Sequence, residues 1–239
     1  MPRGLGLGLL GAGLATLVGA GALVPRALAE MEVFRVQGIR LEGARFLTLE
    51  AALGTLVLPE EASVWDDPEP WLGPLLEHPL VDDVDVRREL PDSLVLYVTE
   101  NQPVALVPTP TLEPVDADGR RLPIDPSHHT LDLPVLRVGG GASEGFDPGR
   151  VRLLALELER LSAADGGFAS KLSELEWAGR GDAVARWGEP DLAIQFRIPL
   201  PVGRLRQALA VLGDATTRFP DRRPRAVDLR YAEQVVIRF

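Results

Sequence analysis

Residues 79–105 read Pro79-Leu-Val81-Asp-Asp-Val84-Asp-Val86-Arg87-Arg-Glu-Leu90-Pro91-Asp-Ser-Leu94-Val-Leu96-Tyr-Val98-Thr-Glu100-Asn-Gln-Pro103-Val104-Ala105. Val84 and Val86 alternate with Asp83, Asp85 and Arg87, and Leu94, Leu96 and Val98 alternate with Val95, Tyr97 and Thr99. Successive strand residues point to opposite faces, so this period-two pattern predicts a β-hairpin turning at Glu89-Leu90-Pro91-Asp92.

Working upstream, Val33 to Leu41 (VFRVQGIRL) is β-branched and apolar, ends at Gly43, and reads as a strand. Thr48 is placed to cap a helix over Leu49 to Leu58, with apolar positions 49, 52, 53 and 56, closed by Pro59. A second helix is expected over Glu69 to His78, with Trp71, Leu72, Leu75 and Leu76 on one face and Pro74 shortening or bending it. The order β-α-α-β-β makes a small α+β module, one sheet carrying two helices on one face.

Working downstream, Gln102-Pro103 marks a boundary. Val104 to Val107 and Leu133 to Val138 read as strands, with a turn at Asp116-Ala-Asp118-Gly119 between them. Val151 to Leu161 is an amphipathic helix, and a second lies within Pro201 to Phe219, apolar at 202, 205, 208, 209 and 212. Short strands are expected near 171–177, 183–187 and 191–198, and again at 226–229 and 234–239 around a turn at Tyr231. This predicts a second α+β domain, with a mixed or antiparallel sheet and two helices. The expected division is 1–30, 31–102 and 103–239.

Gly4 to Val24 is uncharged throughout. As a helix it would span about 31 Å, one hydrocarbon thickness. It reads either as an uncleaved anchor or as a signal peptide cut after Ala27-Leu28-Ala29. Both place the body outside the cytoplasm. The 239 residues hold 35 acids and 25 bases, a net charge of −10. A nucleic-acid-binding surface needs a basic excess, so that class is disfavoured. There is no cysteine, which excludes disulfides, zinc-thiolate sites and cysteine nucleophiles.

Candidate chemistry is thin. Gly141-Ala-Ser143-Glu-Gly145 matches G-x-S-x-G, which raises a secreted serine hydrolase using Ser143. In that class His follows Ser in the chain, but His78, His128 and His129 all precede it. Adjacent His128 and His129 would point to opposite sides of an extended segment and share no ion. Asp116-x-Asp118-Gly119 resembles the start of a calcium loop, but position 12 is Ser127 and the glycine falls at position 4. No phosphate-binding loop with lysine is present. The residues predict a non-enzyme with no cofactor and no metal.

Residues 79–105 also resemble the end of the POTRA domain of the FtsQ/DivIB bacterial cell-division proteins: P-x-V, V-x-R, P-x-x-L and E-x-x-P-V-A fall at matching spacing. Ile39-x-Leu41-x-Gly43 is similar to that family's opening strand and turn. Val115-Asp-x-x-Gly119, Leu133-Pro-Val-Leu136, Val227-Asp-Leu-Arg-Tyr231 and Gln234-Val-Val236 resemble its second domain. The resemblance implies a single transmembrane anchor over 4–24 and a type II protein of the inner membrane, with its body in the periplasm at the septum. It implies a divisome scaffold that links early and late division proteins through FtsB and FtsL. The implied partner-binding residues are Arg230, Tyr231, Gln234, Val235, Val236 and Ile237, with partner addition to an edge strand. In the competing local reading, Val235 and Ile237 face the core and Arg230 pairs with Asp228. A POTRA-bearing envelope assembly or transport factor is the functional alternative. It needs a long series of barrel strands, for which 104–239 is too short.

Overall fold

A computed structural model describes residues 25–109, 111–125, 128–139, 147–188 and 192–239. The chain divides into two units, the first ending at Glu100 and the second running from Asn101 to Phe239.

The first unit holds a three-stranded sheet built from β1 (Gly38–Glu42), β2 (Val81–Glu89) and β3 (Ser93–Glu100), in the order β1-β3-β2. The hairpin pairs Val84 with Val98 and Val86 with Leu96, and β1 lies parallel to β3 with Leu41 opposite Leu96. Helices α1 (Leu49–Thr55) and α2 (Glu69–Leu76) lie between β1 and β2 in the chain. The Thr48 side chain accepts a hydrogen bond from the Ala51 amide at 3.2 Å, the expected cap. Pro74 lies inside α2, which stops at Leu76.

Two local expectations change. Residues 33–36 are not part of β1: Glu32–Phe34 forms a 3-10 turn. The Val36 amide donates to Ala62 and the Val64 amide to Phe34. The pull is tertiary, since Phe34 and Val36 pack on a cluster of Ala62, Val64, Trp71 and Leu94. On the helices, Ala52, Trp71, Leu72 and Leu75 are buried while Leu49, Leu53 and Leu76 are exposed. Gly43 has φ +82°, and a β-carbon there would meet the Val98 carbonyl oxygen at 2.5 Å. Only glycine lets the chain turn this closely over β3.

The second unit holds an eight-stranded mixed sheet. Its strands are β4 (Ala105–Thr109), β5 (Thr111–Val115), β6 (Val135–Arg137), β7 (Leu172–Gly179), β8 (Asp182–Trp187), β9 (Leu192–Arg197), β10 (Ala226–Asp228) and β11 (Val236–Arg238). The order is β11-β10-β9-β8-β7-β6-β4-β5. The pairs β4–β6, β6–β7 and β9–β10 are parallel, and the rest are antiparallel. Its helices are α3 (Pro148–Ala164), the four-residue α4 (Gly166–Ala169) and α5 (Val202–Arg218). Asp147 caps α3 through the Arg150 amide at 3.1 Å, with Pro148 in the first turn.

Leu154, Leu158 and Leu161 of α3 and Leu205, Ala208 and Leu212 of α5 join one core with Leu136, Leu175, Ala183, Ala185, Ile194, Phe196 and Val227 of the sheet. Alternate strand residues supply that face, so the unit is helices on sheet. Burying each leucine contributes about 2 kcal/mol.

The expected fold class is corrected in one respect. It included a single membrane-spanning helix, and among the described residues no helix is long and apolar enough to cross a membrane. The longest, α3 and α5, have 17 residues each and carry charged faces, whereas a span needs about 20 mostly apolar residues. The segment 4–24 lies outside the described residues. The localisation drawn from it, a single-pass type II protein of the inner membrane, is corrected on the same finding. What stands is an α+β chain with two sheets, one of eight strands.

Candidate interaction edge

The six residues singled out for partner binding fall on the β10–β11 hairpin. Its outer strand, β11, ends the eight-stranded sheet. Ala226 pairs with Arg238, Val227 with Ile237 and Asp228 with Val236. An edge strand leaves alternate N–H and C=O groups pointing away from the sheet, a template for another strand. Val235 and Ile237 are partly buried against the core, so the competing reading holds for their side chains. Tyr231 is 57% exposed, and Gln234 is exposed.

Arg230 is held locally. Its Nε and Nη2 donate to the two carboxylate oxygens of Asp228 at 2.9 and 2.7 Å, a bidentate pair. The Arg230 amide donates to the same carboxylate at 3.1 Å. Asp182 lies 3.6 Å from Arg230, and Arg238 lies 3.8 Å from Asp228. Asp228 is buried. The hydrogen bonds from Arg230 hold its carboxyl below the usual value despite the burial that opposes them. The same pair raises Arg230 above its ordinary value. The guanidinium is thus fixed at the hairpin end rather than swinging free.

The turn itself is clamped by Arg204, a residue the sequence reading did not single out. Its Nη2 donates to the Tyr231 carbonyl at 2.7 Å and to the Gln234 carbonyl at 2.8 Å. Arg204 lies in the first turn of α5, where the helix dipole disfavours a cation. That misplaced charge was the available signal.

Elsewhere the candidate chemistry resolves into structure. The Asp116 carboxylate accepts the Arg120 amide at 2.8 Å, Asp118 pairs with Arg152 at 3.2 Å, and Gly119 at φ +75° packs against the Arg152 backbone. The calcium-like segment is therefore a turn seated on α3. His78 Nδ1 accepts the Leu80 amide at 3.2 Å, and His128 lies 3.8 Å from Asp125 on the surface. Among the described residues no group of three or more acidic or histidine side chains is placed to hold a metal. Ser143 lies outside the described residues. A cleft of about 830 Å³ runs past Lys171, Trp187, Leu192, Leu212 and Arg223. The Trp187 indole donates to the Phe168 carbonyl at 3.0 Å, which fixes the ring in the wall.

No protein-family model matches the chain, and no curated protein matches it.

Proposed function

We propose that this chain is a protein–protein interaction scaffold of the FtsQ/DivIB type. It links cell-division proteins of the FtsB and FtsL kind by accepting a partner strand on β11. The observation that carries this reading is the place of β11: the segment singled out by resemblance ends the eight-stranded sheet. Main-chain pairing would supply the attraction, and the alternation of Val235, Val236 and Ile237 would set the register. The clamps on Arg230 and on the 231–234 turn favour docking, because a rigid hairpin loses less entropy when a partner binds.

The test uses the full chain with the water-soluble parts of the FtsB and FtsL homologues. Pull-down with wild type and with a truncation before Gln234 should show binding only to wild type. Amide exchange in the wild-type complex should slow at residues 235–238. Equal binding by both chains, or slowed exchange only elsewhere, would reject the assignment.

A further inference from the structure

The cleft beside Trp187 carries chemistry that the edge-strand reading does not use. Its apolar floor is Leu172, Leu192 and Leu212, from the starts of β7 and β9 and from α5, and all three are buried. Trp187 forms a wall. Its ring stacks on Phe168 with centroids 6.1 Å apart and planes 15° apart, and its indole nitrogen is tied to the Phe168 carbonyl. The Gly188 amide donates to the Lys171 carbonyl at 2.8 Å, which fastens the end of β8 to the chain entering β7. The wall is thus set before a ligand arrives, and a preformed hollow loses little entropy on binding. A volume of about 830 Å³ lies within the ~300–1,000 Å³ of small-molecule sites. A second hollow of about 460 Å³ shares Lys171, Trp187, Leu212 and Thr216 and continues past Phe168 and Leu209.

Two cations line the same cleft. Lys171 is the only lysine of the chain. Its Nζ lies 5.2 Å from the centre of the Trp187 ring. Arg223 enters from the segment before β10. Both side chains are exposed, and neither makes an ion pair among the described residues. Asp132 is the one acid among the residues lining the larger hollow, and it pairs with neither cation. Asp165, in the second hollow, is taken up by the Phe168 amide at 2.9 Å. The chain as a whole carries −10, so the cleft reverses the prevailing sign.

We infer that this cleft binds a small organic anion with a flat apolar body, of the aromatic carboxylate class. The carboxylate meets Lys171 and Arg223, and the ring lies on the leucine floor beside Trp187. Charge complementarity selects the anion, and the floor rewards the apolar body. The inference goes beyond the edge-strand reading and does not depend on it, since no residue of β11 lines either hollow.

The probe is 2-naphthoate, titrated into the full chain by calorimetry, with 2-naphthylmethylammonium and acetate as controls. The naphthoate should bind about tenfold more tightly than the cation, and acetate should bind far more weakly than either. The double variant Lys171→Glu, Arg223→Glu should reverse the order and favour the cation. Thr216→Trp, at an exposed position of α5, fills the hollow and should weaken both naphthyl ligands about tenfold. Thermal melts verify that each variant keeps the fold. A third readout needs only the wild type. Lys171 is the only side-chain amine, so mass spectrometry of its acetylation reports occupancy of the cleft. At free naphthoate twice its Kd, that acetylation should slow about threefold. No preference for the naphthoate over the cation, an unchanged order in the double variant, or unprotected Lys171 overturns the inference. Acetate binding as tightly as naphthoate overturns the apolar body, and full binding by Thr216→Trp overturns the location. Loss of the FtsB interaction in the truncated chain bears on β11 alone, so the two readings fail separately.

Discussion

Arg204, in the first turn of α5, donates through one nitrogen to the carbonyl oxygen of Tyr231 at 2.7 Å, and through the same nitrogen to Gln234. The bond joins a helix to a turn 27 residues later in the chain. It fixes where β11 begins. Replacing Arg204 with Ala should speed amide exchange of residues 231–235 about tenfold, with little change in the thermal midpoint. Arg204→Lys should give a smaller effect, because one ammonium reaches both carbonyls less well. Exchange mass spectrometry reads both.

Glu100, the acid of the E-x-x-P motif, is buried at the end of β3 and accepts the amides of Arg45, Phe46 and Leu47 at 2.6 to 3.1 Å. It anchors the loop between β1 and α1. Glu100→Ala leaves those amides without their acceptor and should cost about 3 kcal/mol, with the loop at 45–47 losing protection first. Glu100→Gln keeps one acceptor and should fall between. Urea denaturation with exchange at 45–47 measures the difference.

Glu157 is buried on α3 and accepts the Leu200 amide at 2.7 Å and the Arg160 guanidinium at 2.7 Å. Arg160 also donates to the Leu200 carbonyl. The pair thereby sets the chain entering α5. Glu157→Ala strands both a buried amide and a cation, and should lower stability by about 3 kcal/mol. Calorimetry should show a drop of roughly 10 °C.

Asp228 carries a pH dependence whose sign is fixed by its lowered pKa. A carboxyl held below its ordinary value of 3.8 stabilises the folded chain fully above that value. The contribution is lost as pH falls through the lower folded value. The difference in urea midpoint between wild type and Asp228→Asn should therefore be constant near neutrality and shrink only in acid below 3.8. A difference that grew on acidification would reject the role assigned to the Arg230 pair.

Much of the architecture was legible because it was written in local periodicity. The alternation of Val84 and Val86 against Leu94, Leu96 and Val98 specified the hairpin, and Thr48 specified the start of α1. The apolar periodicity from Val151 to Leu161 specified α3, which begins three residues earlier at Pro148, just after its Asp147 cap. β5 escaped notice because Glu113 and Pro114 break the apolar pattern. Proline is tolerated there because β5 is the other edge of the sheet, where a missing donor costs little. Residues 33–36 look like strand, yet they pair with residues 62–64 because Phe34 and Val36 find their apolar partners there.

The β2–β3 hairpin and the start of α1 follow from residue order alone, because each depends on neighbours within a few positions, and the lack of thiol chemistry follows from a composition without cysteine. The place of β11 at the sheet edge does not. Nor do the clamp of Arg204 on the 231–234 turn, the three amides gathered by Glu100, or the meeting of Phe219 with Phe239. Each joins residues 20 to 55 positions apart, and no local pattern encodes which of many polar or aromatic groups a distant residue will meet. Folding brings them together by burying the apolar faces that the sequence does display, and the polar contacts settle where that burial leaves them.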